Sequence, residues 1–313
     1  MKNYAIGIDV GGTTCKLGLF TTDGKLLMKD EIPTNTENGG SKILPDLAAK
    51  VDSILADRKI EKDSVAGIGI GVPGPVSDDG VVNHCVNLGW GVLPIEDELG
   101  KLSGLPVKAG NDANVAALGE AWMGAGKDFQ SIIMVTLGTG VGGGIILHDK
   151  ILTGANGAGG EMGHMNVNVH ETEKCNCGLS GCLEQYASAT GVVRLAKQHL
   201  AASDEASELR SQEAISAKSI YDAAKDGDKM ALDIVDEMCD YLGRALATLA
   251  CTIDPEAFIL GGGVSKNGPI LTDTVKKYFK KYAFHACKNT SILLASLSND
   301  AGIFGGAKLA IDL

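Results

Sequence analysis

The chain has 313 residues, and its composition of 44% apolar and 4% aromatic side chains suggests about two globular domains with aliphatic cores. The formal charge of −11, from 28 basic and 39 acidic residues, disfavours nucleic acid and anionic membranes as partners. The 42 glycines follow no repeating period, and no uncharged apolar run reaches the about 18 residues of a membrane span, which excludes collagen-like, disordered and membrane-spanning chains.

The amino-terminal residues predict a strand, a glycine-rich turn and a second strand. The strands are Tyr4–Asp9 and Leu17–Phe20, and the turn has the sequence Gly-Gly-Thr-Thr at 11–14. Backbone N–H groups of such a turn can face an anion, although a plain hairpin turn is the alternative interpretation. The sequence contains no Walker A motif. Asp9, at the end of the first strand, is expected either to be an outer partner of a metal ion or to be a turn residue.

Apolar periodicity predicts the next elements of an α/β fold. A helix is expected over residues 43–58, where apolar residues recur on one helical face, and a buried strand over 65–72. Residues 86–90 predict an irregular segment that contains a buried tryptophan. Another strand over 106–109 leads into a helix over about 113–123.

Asp112 lies immediately before this helix, and two roles are open for it. As an N-cap, its carboxylate would accept a hydrogen bond from a backbone N–H that the helix leaves without a partner. As a general base, it would lie beyond the carboxyl end of a strand, where α/β proteins tend to open their clefts. The local sequence alone favours the capping role.

A second strand, turn and strand resembles the first. Ser131–Leu137 and Ile145–His148 are predicted strands, and the residues between them, 138–144, are rich in glycine. These glycines match the spacing G-x-G-x-x-G, but a dinucleotide site requires a helix after the turn, and here the β-branched run continues as a strand. The two similar units predict a duplicated architecture that holds a phosphate chain between its halves.

The carboxyl-terminal part of the chain predicts mainly helices. A long amphipathic helix is expected over about 228–251, after a polar stretch at 202–217 that forms a surface helix or a loop. Ala257–Leu260 is a predicted strand, and the following Gly261–Gly263 indicates a backbone bend or the close approach of a flat ligand. The residues from Gly302 to Ala310 are again expected to be helical.

Three of the eight cysteines, Cys175, Cys177 and Cys182, lie close together in the sequence. Three thiolates and one imidazole are the ligand set of a closed structural zinc site, and the neighbouring glycines permit a tight turn. Free cysteines or a disulfide are the alternatives, but no secretory signal precedes the first strand, and thiols stay reduced in the cytosol. On spacing alone the fourth ligand stays open between His164, His170 and no histidine.

The order and spacing of several motifs resemble the ROK family of sugar kinases and sugar-responsive repressors. The motifs are D-V-G-G-T at 9–13, N-D-A-N at 111–114, L-G-T-G-V-G-G-G at 137–144, E-M-G-H at 161–164 and C-N-C-G-L-S-G-C-L-E at 175–184. The resemblance extends over essentially the whole chain, and the cysteine motif is its most specific part. Asn-Leu-Gly-Trp at 87–90 is similar to the zinc-containing glucokinase branch of Gram-positive bacteria.

This resemblance implies an actin/hexokinase-like (ribonuclease H-like) α/β fold of two domains with a cleft between them. A smaller N-terminal domain is expected over 1–116 plus 300–313, and a larger domain that carries the zinc site over 117–299. The implied reaction is that of a glucokinase, in which MgATP and D-glucose give ADP and D-glucose 6-phosphate. Kinases for N-acetylmannosamine, N-acetylglucosamine or fructose are the alternatives, together with a sugar-responsive repressor that lacks its DNA-binding region.

The resemblance also implies roles for individual residues. Asp112 corresponds to the catalytic base, which takes the proton of the sugar 6-hydroxyl. The positions that match sugar-binding residues are Asn87, Asn111, Asp112, Glu161, His164 and Glu184. Those that match ATP-binding residues are Asp9, Gly11, Gly12, Thr13, Thr14, Gly138, Thr139, Gly140, Gly261 and Gly262. Those that match the ligands of a structural Zn²⁺ are His164, Cys175, Cys177 and Cys182.

One departure from the family pattern lies in the first turn. Many relatives have a lysine directly after the threonine, whereas this chain has Thr14-Cys15-Lys16, which argues against a contact between Lys16 and phosphate. The family's members are commonly dimers or tetramers, which implies a homodimer or a homotetramer here. A cytoplasmic location is expected because no secretory signal is present.

Overall fold

A computed structural model describes residues 2–313 of the chain. The chain forms two compact units. Unit 1 contains the residues up to Gln130 together with Gly144–Gly160 and Ser296–Leu313, and unit 2 contains Ser131–Gly143 and Glu161–Ala295. Each unit is therefore assembled from more than one segment of the chain.

The described residues form strands, α-helices and short 3-10 turns. The strands are β1 (Tyr4–Val10), β2 (Thr14–Thr21), β3 (Leu26–Pro33), β4 (Val65–Val72), β5 (Val81–Cys85), β6 (Trp90–Pro94), β7 (Val107–Asn111), β8 (Ile132–Leu137), β9 (Val141–Leu147), β10 (Lys150–Ile151), β11 (Ala257–Gly261) and β12 (Ser291–Leu294). The helices are α1 (Glu37–Gly40), α2 (Ile43–Arg58), α3 (Ile95–Ser103), α4 (Asp112–Met123), α5 (Glu184–Ala187), α6 (Ala189–Ala202), α7 (Ala217–Lys225), α8 (Lys229–Ile253), α9 (Pro269–Tyr282) and α10 (Ala301–Ile311). Two of the 3-10 turns, Val86–Leu88 and Met162–His164, carry predicted site residues.

The first sheet lies in unit 1 and has the strand order β3-β2-β1-β4-β7. β1 pairs antiparallel with β2 and parallel with β4, and β4 pairs parallel with β7. Because side chains alternate between the faces of a strand, Ile6 and Ile8 of β1 pack with α2 and α3, whereas Ala5 packs with α10. The carboxyl ends of the three parallel strands meet at one edge of this sheet.

The helix α10 approaches the first sheet and α4 so closely that a side chain larger than that of glycine would clash. A Cβ atom on Gly7 of β1 would lie 1.8 Å from the carbonyl oxygen of Ile303. A Cβ atom on Gly305 would lie 1.7 Å from the carbonyl oxygen of Val115 in α4. These backbone contacts place α10 directly against the first strand of the chain.

The second sheet has the strand order β10-β9-β8-β11-β12. β11 pairs parallel with both β8 and β12, and β10 pairs antiparallel with β9. In the first sheet β3, β2 and β1 are neighbours, and β4 and β7 follow beyond β1. In the second sheet β10, β9 and β8 are neighbours, and β11 and β12 follow beyond β8. This shared order confirms the duplicated architecture that the two glycine-rich units predict. The division between the units falls inside β9, after Gly143.

Most of the predicted elements are confirmed. The predicted helix over 43–58 and strand over 65–72 have the bounds of α2 and β4. Trp90 is 7% exposed, as expected for a buried tryptophan. The polar stretch at 202–217 is mainly a loop with a 3-10 turn at Glu208–Ser211. Within residues 2–313, none of the helices combines the length and the apolar character that crossing a membrane requires.

The boundaries of the two compact units differ from the predicted domain boundaries. A boundary after residue 116 would cut α4, which is continuous from Asp112 to Met123 and packs against α10. Residues 144–160, which the sequence places in the larger domain, belong to unit 1. The division into a smaller domain and a larger, zinc-carrying domain stays a prediction.

Candidate active site

Predicted site residues of unit 1 gather at one edge of the first sheet. Asp9 of β1 and Gly110 of β7 both pair with Gly71 of β4, which lies between them. Since these strands are parallel, the turn at 11–14 and Asp112 both follow the carboxyl ends of strands at the same edge. Open α/β sheets bind their ligands at such an edge. The arrangement therefore supports a ligand site in unit 1.

Asn111, and not Asp112, is the N-cap of α4. Its side-chain oxygen accepts hydrogen bonds from the backbone N–H groups of Ala113 (3.0 Å) and Asn114 (3.2 Å). Its amide nitrogen donates to the carbonyl of Gly74 (3.1 Å). The strand β7 extends through Asn111 and gives this residue the extended backbone of an N-cap. Asp112 is instead the first helical residue, where the helix dipole favours a carboxylate.

Asp9 is partly enclosed at the end of β1. Burial raises the pKa of its carboxyl group, the charge of Lys16 lowers this pKa, and the charge of Asp300 raises it. A Cβ atom on Gly302 would lie 2.6 Å from Asp9 Cγ, so the first turn of α10 covers the carboxyl group. The Lys16 ammonium group donates a hydrogen bond to the carbonyl of Asn299 (2.9 Å), consistent with the argument against a phosphate contact.

The turn at 11–14 is closed by Thr34. The hydroxyl of Thr34 donates to the carbonyl of Gly11 (2.7 Å), and its backbone N–H donates to the carbonyl of Thr13 (2.9 Å). Gly12 and Thr13 are exposed, and a Cβ atom on Gly12 would meet no atom within 4 Å. The outer side of the turn is therefore open, as an anion-binding turn requires.

Asn87, a predicted sugar-binding residue of unit 1, is exposed in the 3-10 turn Val86–Leu88. The backbone of this turn is held by its apolar residues, because Leu88 and the neighbouring Trp90 are both buried in the same hydrophobic core. The indole N–H of Trp90 donates a hydrogen bond to the carbonyl of Gly40 (3.2 Å). The fold thus presents the Asn87 amide to solvent on a fixed backbone.

In unit 2, the second glycine turn lies against the bend at Gly261–Gly262. Gly262 has a φ of +85°, and a Cβ atom on it would lie 2.5 Å from the carbonyl oxygen of Leu137. The positive φ and the close approach both require glycine. ATP-binding residues predicted from two distant stretches, Gly138–Gly140 and Gly261–Gly262, are therefore brought together.

If Gly261 and Gly262 bind the nucleotide as predicted, Gly262→Ala should raise the KM for ATP by about tenfold, equivalent to roughly 1.4 kcal/mol, because the added methyl group displaces the second glycine turn. A strained backbone should also lower the free energy of unfolding by at least about 1 kcal/mol. Gly227→Ala is the control, since Gly227 has a φ of +92° but no atom within 4 Å of its Cβ position. Steady-state kinetics and thermal unfolding measure both effects, and an equal rise of KM in the two variants would contradict the assignment.

The start of α6 also contacts the second glycine turn. The backbone N–H of Ala189 donates to the carbonyl of Gly138 (2.8 Å), and the hydroxyl of Thr190 donates to the carbonyl of Thr139 (2.7 Å). Sequence reasoning missed both residues, because no local pattern connects the first turn of a helix with a distant loop. A groove of about 740 Å³ runs beside this contact, and its lining includes Thr139, Ala189, Thr190, Val193, Lys197 and Ala217.

Two of the predicted sugar-binding residues of unit 2, Glu161 and Glu184, lie on either side of the third, His164. His164 Nδ1 is 3.8 Å from Glu184 Oε1, and His164 Nε2 is 4.0 Å from Glu161 Oε2. A Cβ atom on Gly140 would lie 2.6 Å from Glu184 Oε2, so this carboxyl group is adjacent to the second glycine turn. Residues predicted to bind sugar and residues predicted to bind phosphate are therefore neighbours in unit 2.

The three cysteines and His164 form one cluster, in which all potential ligand atoms lie within 4.8 Å of one another. Cys177 Sγ is 3.6 Å from Cys182 Sγ, and Cys175 Sγ is 4.0 Å from His164 Nδ1. Ligand atoms around a tetrahedral zinc ion with Zn–S bonds of about 2.3 Å lie about 3.8 Å apart, so both the donor set and its spacing fit zinc. His170 is exposed and outside the cluster, and all eight cysteines are free.

Hydrogen bonds shape the loop that carries the cysteines. The backbone N–H of Cys175 donates to the carbonyl of Leu179, and the N–H of Gly178 donates back to the carbonyl of Cys175, both at 2.8 Å. The side-chain oxygen of Gln185 accepts hydrogen bonds from the backbone N–H groups of Gly181 (2.8 Å) and Cys182 (3.1 Å). Gln185 was not predicted as a site residue, although it directly follows the cysteine motif.

The cysteine thiols differ in acidity. Burial, together with the hydrogen bond that Cys175 donates to Glu184 (2.9 Å), raises the pKa of Cys175 to about 12. Burial also raises the pKa of Cys182, whereas a hydrogen bond from the backbone N–H of Leu179 lowers the pKa of Cys177. Because a metal binds thiolates, metal binding to this cluster releases protons, and its affinity rises with pH.

Comparisons with known proteins agree with this arrangement. A ROK family profile matches residues 5–313. The chain is 43% identical to a glucokinase of Halalkalibacterium halodurans, over 98% of this chain and 94% of that protein, and 38% identical to a glucokinase of Thermotoga maritima, over 98% and 97%. The crystal structure of a ROK family glucokinase from Streptomyces griseus in complex with glucose and AMPPNP superimposes with a TM-score of 0.76 and 37% identity, over 99% of this chain and 100% of that one.

The structural similarity confirms the predicted actin/hexokinase-like α/β fold. The family profile covers all the motifs on which the resemblance was based. The sequence identity extends over nearly the full length of the relatives as well as of this chain. The chain belongs to the ROK family.

Proposed function

We propose that this protein is an ATP-dependent glucokinase, which transfers the γ-phosphoryl group of MgATP to the 6-hydroxyl of D-glucose. The observation that carries the proposal is the 43% identity to a glucokinase over 98% of the chain. The geometry within each unit supports it, because the first sheet presents carboxylates at its carboxyl edge and unit 2 presents a glycine turn beside Glu184.

Asp112 is the general base in this proposal. Phosphoryl transfer requires a positioned hydroxyl, neutralised phosphate oxygens and an in-line geometry. Asp112 lies at the start of α4 and at the carboxyl edge of the first sheet, and Asn111 performs the capping there. We assign to Asp112 the removal of the proton from the sugar 6-hydroxyl, and to Asn111 a hydrogen bond to the sugar.

The two glycine turns bind the phosphates of ATP through backbone N–H groups. In unit 1 this role falls to Gly11, Gly12, Thr13 and Thr14, and in unit 2 to Gly138, Thr139 and Gly140, with Gly261 and Gly262 on the adenosine side. Mg²⁺ enters with ATP and neutralises charge on its phosphate oxygens. Asp9 would be its outer partner, since Asp9 lies at the end of β1, two residues before the turn at 11–14.

The cysteine cluster holds a structural zinc ion in this proposal, with His164, Cys175, Cys177 and Cys182 as ligands. Four protein ligands leave no open position for a substrate, so zinc would fix the loop rather than activate a reactant. His164 Nδ1 faces the cluster, and Nε2 faces Glu161. The Nε2–H group is then a donor to a sugar oxygen, beside the acceptors Glu161 and Glu184. In unit 1, Asn87 is a further predicted sugar contact.

A substrate panel tests the proposal. ADP release is measured with D-glucose, D-fructose, N-acetyl-D-glucosamine and N-acetyl-D-mannosamine, and sugar phosphate formation is measured with ATP and with polyphosphate as donors. We expect the highest kcat/KM for D-glucose with ATP. A preference for another sugar would favour one of the alternative kinases, and the absence of any turnover would favour a sugar-responsive regulator.

We also propose that the protein acts in the cytoplasm as a homodimer or a homotetramer. Reduced cysteines that form a metal cluster suit a reducing compartment. Sedimentation equilibrium measures the oligomeric state, and a monomer at micromolar concentration would contradict this part of the proposal.

A further inference from the structure

Arg194 of α6 joins this helix to the segment that leads into the cysteine cluster. Its Nε donates to Glu173 Oε2 (2.7 Å), and its terminal nitrogen pairs with Glu171. The pair with Glu171 is largely buried, because the side chains are 16% and 11% exposed. The guanidinium group also lies over the ring of Tyr186, 5.4 Å from its centroid. Arg194 is thus fixed by two carboxylates that precede the cysteines and by an aromatic ring of α5 that follows them.

The carboxylate that faces Arg194 is itself strongly constrained. Burial raises the pKa of Glu171, but hydrogen bonds from Tyr186, from the backbone N–H of Glu173 and from Arg194 outweigh this effect and lower the pKa to about 2. The Tyr186 hydroxyl donates to Glu171 at 2.6 Å and accepts from the amide of Asn168 at 2.9 Å. The segment before the cysteines is therefore attached to α6 by a charged pair within a hydrogen-bond network.

The helix α6 also contacts the second glycine turn. Thr190 donates to the carbonyl of Thr139, and Thr190 and Arg194 are four residues apart, which places them on the same face of the helix. The fully buried Ser188 caps α6 and donates to the carbonyl of Glu184 at 2.6 Å. Thr139, Thr190, Arg194 and Glu184 all line one groove of about 500 Å³.

We propose that Arg194 is a positioning residue that couples the metal cluster to the nucleotide-binding turn through α6. The inference rests on the proposed function, which places zinc in the cluster and ATP phosphates at the turn. A bound metal orders the segment that holds Glu171 and Glu173, and these carboxylates fix Arg194 and, one helical turn away, Thr190. Loss of the metal then weakens nucleotide binding. Because coupling between two binding sites is reciprocal at equilibrium, bound nucleotide raises the affinity for the metal.

The experiment measures two quantities on the zinc-loaded protein. The first is the dissociation constant of AMPPNP, determined by calorimetry. The second is the zinc affinity, determined from the equilibrium zinc transfer to a chelating dye, with and without saturating AMPPNP. In the parent we expect AMPPNP to raise the zinc affinity by about tenfold, within the usual range of coupling between sites. Arg194→Met should abolish this effect of the nucleotide, and Arg194→Lys should restore part of it because lysine pairs with a single carboxylate.

Glu173→Gln provides a second test in case the Arg194 variants do not fold. The Glu173 side chain is 63% exposed, so its replacement should not disturb folding. We expect it to reduce the nucleotide effect on zinc affinity while the protein stays folded. Its control is Glu237→Gln, which breaks the 2.7 Å contact with His199 in the last part of α6, away from the cysteine segment. The control should keep the parental coupling.

The outcomes separate this inference from the proposed function. If the parent does not bind AMPPNP, the proposed kinase function fails, and the coupling fails with it. If AMPPNP binds but leaves the zinc affinity unchanged, the coupling is overturned while the function stands. An equal nucleotide effect in the parent, Arg194→Met and Glu173→Gln would likewise overturn the role of Arg194.

Discussion

Asp112→Asn is expected to lower kcat for sugar phosphorylation by roughly 10²–10⁴-fold, the contribution of a well-placed general base. The amide cannot accept the proton of the attacking hydroxyl, but it keeps the size of the carboxylate. Sugar affinity and folding should stay close to those of the parent, because Asn111 still caps α4. The measurements are kcat and KM from the ADP-release assay, sugar binding by calorimetry, and thermal unfolding.

Asp97→Asn is the matched control for this substitution. Asp97 is exposed in the first turn of α3, so its replacement removes the same favourable interaction with a helix dipole, worth about 0.3–1 kcal/mol. We expect parental turnover for this variant. Near-parental turnover of Asp112→Asn would exclude Asp112 as the base, and equal losses in both variants would indicate a structural cause.

Cys177→Ser is expected to lower zinc affinity by more than about 100-fold. Removing a zinc ligand should cost more affinity than removing a side chain that only hydrogen-bonds to a ligand. The thermal midpoint should fall as well, because structural metal binding is coupled to folding. Sugar affinity should weaken by about tenfold, or roughly 1.4 kcal/mol, as the ring of His164 loses its fixed orientation. Elemental analysis, thermal unfolding and sugar titration measure the three effects.

Cys251→Ser controls for the loss of an exposed thiol. Cys251 is exposed on α8, outside the cluster that holds Cys177. This variant should retain the zinc content, thermal midpoint and sugar affinity of the parent. Equal zinc stoichiometry in Cys177→Ser and the parent would exclude Cys177 as a ligand.

Elements with regular apolar patterns could be predicted from the sequence. The buried side chains of α2 recur with helical spacing, and β4 is an unbroken apolar run, so both have their predicted bounds. The edge strand β3 carries Lys29, Asp30 and Glu31, which do not indicate a strand, and it forms because β2 offers it a partner. Regular burial is visible in a sequence, whereas the pairing of a polar edge strand is not.

The candidate site shows the same limit. Asn111 and Asp112 are equally good N-caps by residue type, and the choice between them depends on how far β7 pairs with β4, which extends to Asn111. The cysteine motif predicted its own cluster because its members are close in sequence. Thr190 and Arg194 were missed because their partners lie on other loops, and only the tertiary structure brings them together.

The close packing of α10 on β1 has a consequence for how the protein matures. The residues up to Gln130 leave the ribosome well before Ser296–Leu313, yet both belong to unit 1. Until α10 has been synthesised, Ala5 and Phe20 lack the apolar residues that cover them, such as Ile303 and Ala307. Contacts between such distant residues slow folding and leave apolar surface exposed in the nascent chain. The amino-terminal sheet is therefore the first part of the molecule to be translated and one of the last to be finished.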